Sequence, residues 1–98
     1  MRRIIYIGDR SCRPCRHYKE TVIDPLMARH PGSIEVHTGW DAKIAEVNAR
    51  RKITKVPTVV IEKDGREEFR FSAFLEPEQL EGIIACESDT LTAGEVLA

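Results

Sequence analysis

Four apolar residues in succession, Ile4-Ile5-Tyr6-Ile7, stand near the start of the chain with no polar position among them. A run without a wet face, rich in β-branched side chains, predicts a strand over residues 3–7 that is buried on both sides and central in its sheet. From Pro14 to Arg29 the period changes. Tyr18, Val22 and Leu26 recur at helical spacing, and Cys15 falls on the same stripe. Pro14 suits a first helical turn, whereas Pro25 lies deep enough to bend or break the helix. His30-Pro31-Gly32-Ser33 is turn chemistry, and Ile34-Glu35-Val36-His37-Thr38 alternates as a half-buried strand does. Helical spacing returns over residues 42–52 through Ile44, Ala45, Val47 and Ala49.

Beyond Pro57, Thr58-Val59-Val60-Ile61 predicts a strand, Lys63-Asp64-Gly65-Arg66 a hairpin turn, and Glu68-Phe69-Arg70-Phe71-Ser72 its antiparallel partner. Pro77 opens a last helix whose Leu80, Ile83 and Ile84 form one stripe ending near Glu87. The order is therefore β-α-β-α-β-β-α. Helices on both faces of a four-stranded mixed sheet would bury these stripes, which gives an α/β domain over residues 1–87 and a weakly patterned tail over 88–98. No internal repeat or low-complexity segment interrupts it.

Ninety-eight residues bound one small core, large enough to stand without a disulfide framework. Charged residues make up 32% of the chain but nearly cancel, to a net −1, so the totals signal neither a nucleic-acid surface nor an acidic tail. The first apolar run is too short for a secretory leader or a membrane span, so cytoplasmic residence without membrane association is expected. Three cysteines, with Cys86 far from the other two, also argue against a stapled secreted protein.

Charge does change the picture locally. Arg10, Arg13, Arg16 and His17 crowd around Cys12-Arg13-Pro14-Cys15, a CxxC motif placed where the first strand hands over to a helix. Thiolates are the nucleophiles of disulfide exchange, and a helix N-terminus with nearby cations favours the charged form. Cys12 lies at the helix start and Cys15 one turn later on the inward stripe, so Cys12 is the expected attacking thiol and Cys15 the resolving one. On residues alone a CxxC stays open between redox chemistry, metal binding and accident. A zinc site would have to draw on Cys12, Cys15, His17 and either Cys86 or His37, and no second CxxC or HxxxH supports it.

The remaining candidates are weaker. His17 and His37 read as proton relays or as plain surface. Cys86 reads as a small semi-buried hydrophobe, and Trp40 and Asp41 either line the cleft or cap the helix that follows. Val56-Pro57-Thr58 places a proline just ahead of an apolar strand, either as a strand-start residue or in a cis turn.

Cys12-Arg13-Pro14-Cys15-Arg16, Val56-Pro57-Thr58-Val59-Val60-Ile61, Lys63-Asp64-Gly65 and Ala73-Phe74-Leu75 before Gln79-Leu80, in that order, resemble the thioredoxin family from the first strand through the last helix. The resemblance implies a thioredoxin-like fold and a thiol–disulfide oxidoreductase that reduces protein disulfides, needs a separate reductase and uses no cofactor. It implies a monomer whose partners are disulfide-containing proteins, not nucleic acid. It also implies that Pro57 is cis and contacts the cysteines, and that the Val56 backbone holds an extended client peptide. Four departures stand out. The first β-α unit of full-length thioredoxins is missing, Ser11 replaces the usual tryptophan, Tyr6 stands at the buried aspartate, and Ala73 replaces a glycine. A glutaredoxin's Gly-Gly ahead of an acidic helix start is absent as well. The competing expectations are an interaction module with a redox-switch cysteine pair and a small zinc protein.

Overall fold

The apolar run becomes strand β1 (Arg2–Ile7) in a computed structural model that describes residues 2–38, 49–50 and 52–86. On one side β1 pairs in parallel with β2 (Ile34–His37), and on the other it runs antiparallel to β3 (Thr58–Lys63). Strand β4 (Arg66–Phe71) completes a four-stranded mixed sheet of order β2-β1-β3-β4. Ile4, Ile5, Tyr6 and Ile7 are all fully buried, as the run predicts, and their alternation divides them between two clusters. Ile4 and Tyr6 join Tyr18, Ile23, Leu26, Leu80 and Ile83 on the face covered by the described helices. Ile5 and Ile7 meet Val60 on the other face, where Ile53 and Val56 pack against them. Each fully buried aliphatic side chain contributes about 1.5–3 kcal/mol, which makes β1 the axis of the core.

The long helical pattern is realised with a difference. It forms α1 (Arg13–Tyr18), one π-helical turn over Lys19–Ile23, and α2 (Asp24–Arg29), so Pro25 does not break it. Proline lacks the N–H that would continue the ladder. The widened turn removes the need for that bond: the Asp24 N–H reaches back to the Lys19 carbonyl, and Pro25 enters α2 in its first positions, where no donor is required. Lys19 Nζ lies 3.0 and 3.1 Å from the two Asp24 carboxylate oxygens and clips the turn from outside.

β2 departs from simple alternation, because its buried positions are Ile34 and His37. His37 is paired in register with Ile7, and its ring nitrogen lies 2.8 Å from a Glu35 carboxylate oxygen, so the buried ring is partnered. The β3–β4 hairpin is longer than the apolar pattern, because Glu62 and Lys63 pair with Glu67 and Arg66. Asp64 and Gly65 both take positive φ, 53° and 81°, the backbone of a type I′ turn that matches strand twist. A bulge beside Ile61 leaves Glu68 outside the ladder, and its side chain turns to Arg2 instead.

The last helix, α3 (Pro77–Ala85), opens on a reciprocal box in which Glu76 caps the Gln79 backbone and its own N–H donates to Gln79 Oε1 at 2.8 Å. It ends at Ala85 with Cys86 as its cap, beside the predicted end near Glu87, and Leu80 and Ile83 are buried. The helix expected over 42–52 lies almost wholly outside the described residues, as do Trp40, Asp41 and the tail. No helix among the described residues is long and apolar enough to cross a membrane.

Candidate active site

The cysteine pair and Pro57 lie at one end of the sheet. β1 stops at Ile7, and the Gly8 N–H donates to the His37 carbonyl. Gly8 is small for a reason: a Cβ there would stand 3.2 Å from the Tyr6 hydroxyl and 3.4 Å from Cys15 Cβ. Asp9 then accepts both the N–H and the hydroxyl of Ser11 at 2.9 Å, and these bonds hold its carboxyl below the usual range. The Asp9 carbonyl accepts the Cys12 N–H at 3.1 Å, which closes the turn leading into α1.

Cys12 is the cap of α1. Its backbone is extended, φ −86° and ψ 102°, and its sulfur accepts the Cys15 N–H at 3.3 Å. A sulfur in this position faces the unpaired N–H groups of the first turn, which favour negative charge there. Cys15 follows on the inner stripe and is only 1% exposed, whereas Cys12 is partly open to solvent. The two sulfurs are joined in a disulfide, with Cα atoms 5.2 Å apart.

Tyr6 occupies the position where the resemblance calls for a carboxylate. Its hydroxyl donates to the Cys15 carbonyl at 2.8 Å, and its ring stacks on Tyr18 at 5.6 Å between centroids. Burial pushes its phenol up to about 12, so at neutral pH Tyr6 is a hydrogen-bond donor and not a proton acceptor. Burial, with Tyr6 and Glu76 nearby, pushes Tyr18 further still. The Tyr18 hydroxyl donates to the Leu75 carbonyl and ties the helix to the segment preceding α3.

The Val56–Pro57 peptide bond is cis. Thr58, the next residue, pairs in register with Ile7, so Pro57 enters the sheet at the end where β1 leads to the cysteines. Val56 packs on the Ile5/Ile7/Val60 cluster, and the Thr58 hydroxyl donates to the Lys55 carbonyl at 2.6 Å. Arg10, Arg13, Arg16 and His17 are all exposed around the motif. Cys86 is elsewhere: its carbonyl accepts Arg2 Nη1 at 2.8 Å, at the opposite end of β1. Five residue steps along a strand put these ends roughly 17 Å apart. That separation removes Cys86 from a zinc set with Cys12 and Cys15, and among the described residues no three His, Cys, Asp or Glu side chains converge as metal ligands.

Two concavities flank the motif. One, of about 190 Å³, has Cys15 in its wall together with Asp9, Arg10, Arg16 and Glu20. The other, of about 270 Å³, runs between the helix and the loop before α3, lined by Pro14, His17, Tyr18, Val22 and Phe74. Phe74 is 45% exposed although its ring lies 5.0 Å from Tyr18. Sequence reasoning missed this groove. A lone aromatic after β4 was its signal, and only the fold brings it to the helix.

A mixed sheet ordered β2-β1-β3-β4, a cysteine pair at the start of the helix after β1, and a cis-proline ahead of β3 together define a thioredoxin-like fold. Solved structures bear this out. Thioredoxin-2 of the malaria parasite, described as a component of its protein secretion machinery, superposes with a TM-score of 0.67 at 18% identity, over 86% of this chain and 81% of that one. Fasciola hepatica thioredoxin superposes at 0.63 with 27% identity, over 85% and 77%. The germline-specific thioredoxin Deadhead of Drosophila melanogaster gives 0.64 at 20%, over 86% and 78%. No protein-family profile and no curated protein matches the sequence. Fold and cysteine pair together support thiol–disulfide oxidoreductase chemistry as a class.

Proposed function

We propose that the protein is a cytoplasmic, monomeric reductant of protein disulfides. The observation that carries this reading is the asymmetry of the pair: one sulfur caps a helix at the surface, and the other is buried one turn behind it. In the reduced protein the Cys12 thiolate attacks one sulfur of a client disulfide. The client S–S bond breaks, its other sulfur leaves as a thiolate that takes up a proton, and Cys12 is left in a mixed disulfide. The Cys15 thiolate then attacks Cys12 Sγ, releasing the second client thiolate and closing Cys12–Cys15. Two electrons pass from the protein to the client, and a separate dithiol reductase restores them. Arg10, Arg13 and Arg16 lower the cost of the Cys12 thiolate. Pro57, cis and at the same end of the sheet, positions the client, and the Val56 backbone hydrogen-bonds the client strand.

Insulin-disulfide reduction tests the cycle. Cys12→Ser abolishes turnover, and Cys15→Ser accumulates a mixed disulfide through Cys12 that mass spectrometry detects. Full turnover in either variant overturns the reading. An inert wild-type protein that still captures a partner favours the interaction-module alternative.

A further inference from the structure

The segment that carries the disulfide and the one that leads to Pro57 are both rich in cations. Residues 10–19 contain Arg10, Arg13, Arg16 and Lys19 and no acid, and the described residues from 49 to 61 contain Arg50, Lys52 and Lys55 and no acid. Lys19 is held by Asp24. The other six are exposed, and none has an ion-pair partner among the described residues. The nearest acids offset them only in part: Asp9 and Glu20 share a cavity wall with Arg10 and Arg16, and Glu76 caps α3. Six exposed cations, none of them ion-paired among the described residues, in the segment that carries Cys12 and the one that leads to Pro57 are a local concentration of positive charge in a chain whose net charge is −1.

We infer that this positive charge selects clients whose disulfides are flanked by acidic residues. The inference rests on the disulfide-reductant reading above and names its substrate class. A positive surface around the attacking sulfur raises the encounter rate of anionic segments by ~10- to 10³-fold at low salt and slows cationic ones. Lys52 and Lys55 precede Pro57 and the arginines surround Cys12, so both segments that meet the client in the reductant reading carry the same sign. A nucleic acid would also meet such charge, but the one Phe, Tyr or Trp ring in either segment among the described residues is Tyr18, which is 5% exposed. Charge centred on a reactive disulfide fits an acidic polypeptide better.

Three synthetic peptides closing the same disulfide loop, flanked by Glu, Gln or Lys, test this against the reduced full-length protein. The Glu peptide is expected to react at least about tenfold faster than the Lys peptide at low ionic strength, and the ratio to shrink toward one in about 1 M salt. Any tuning of the Cys12 thiolate acts on all three peptides alike, so the ratio isolates client charge. The double variant Arg50→Glu/Lys55→Glu keeps the rate on the Gln peptide and lowers the Glu-to-Lys ratio several-fold. A ratio of one at every salt concentration overturns the inference while leaving the reductant reading intact. Failure to reduce any of the peptides overturns the reductant reading itself. Inhibition of Glu-peptide reduction by a single-stranded oligonucleotide at submicromolar concentration assigns this charge to nucleic acid and also overturns the inference.

Discussion

The two ends of β1 handle charge in opposite ways. At the Arg2 end a guanidinium that is 1% exposed is fully engaged: Nε and Nη2 donate to Glu68 at 2.6 and 3.1 Å, and Nη1 donates to the Cys86 carbonyl. A bulge frees Glu68 for this bond, so β1, β4 and the end of α3 are clamped by one side chain. At the Ile7 end the strand passes into a loop whose backbone is bonded but whose arginines are exposed and unpaired among the described residues. Charge that is partnered inside the fold serves stability, and charge left facing water remains available to a client. Breaking each end should therefore damage a different property.

The largest separation is expected from Cys12→Ser. Serine preserves the helix cap, so the reduced variant should melt close to the reduced parent while disulfide reduction disappears. A large loss of Tm would mean that Cys12 belongs to the structural end of the comparison. Arg2→Met should do the reverse. Leaving Glu68 and a carbonyl without their donor costs about 2–3 kcal/mol, or roughly 10–20 °C in Tm, read by thermal unfolding, with reductase activity at 25 °C unchanged. Lost activity with an intact Tm would erase the distinction between the ends.

Tyr6→Phe sits between them and should cost about 1–2 kcal/mol, because the Cys15 carbonyl loses its buried donor. Its pH signature is separable. The phenol is raised from 10.0 to about 12, so the folded state holds its proton longer than the unfolded chain does. The resulting stability is fully present below pH 10 and is lost as pH rises toward 12, and the variant's stability should fall less steeply over that window in urea titrations. Activity near neutral pH should survive, since Tyr6 accepts no proton there. The smallest effect is Gly65→Ala, about 1 kcal/mol, from placing a Cβ at φ 81° in a turn far from the cysteines.

The pattern of the chain made β1 legible because four buried positions in a row leave no other solution, and the hairpin legible because Asp-Gly announces its own backbone. The separation of Cys12 from Cys15 was legible too, since helical spacing alone turns one inward. Pro25 marked an irregularity whose form was not legible, because periodicity reports which face is buried and not how the backbone bonds around a missing donor. Arg2 was unreadable at the sequence level: its partners lie at Glu68 and Cys86, and only the bulge in β4 brings them within reach. The groove beside Phe74 likewise depends on a long-range contact with Tyr18.

The wide turn at Lys19–Ile23 has a consequence for chain length. A π turn holds one residue more than the same stretch of α-helix, so this helix carries a spare position between the half that bears the cysteines and the half that anchors Leu26. Deleting Thr21, which is exposed, should leave both halves presenting the same sides to the sheet, at the cost of returning Pro25 to the interior of a regular ladder that lacks its N–H. A deletion in the regular turn of α1 has no such slack and would rotate Cys15 out of the interior. The segment is thus the place where this helix can change length without turning Cys15 away from the interior.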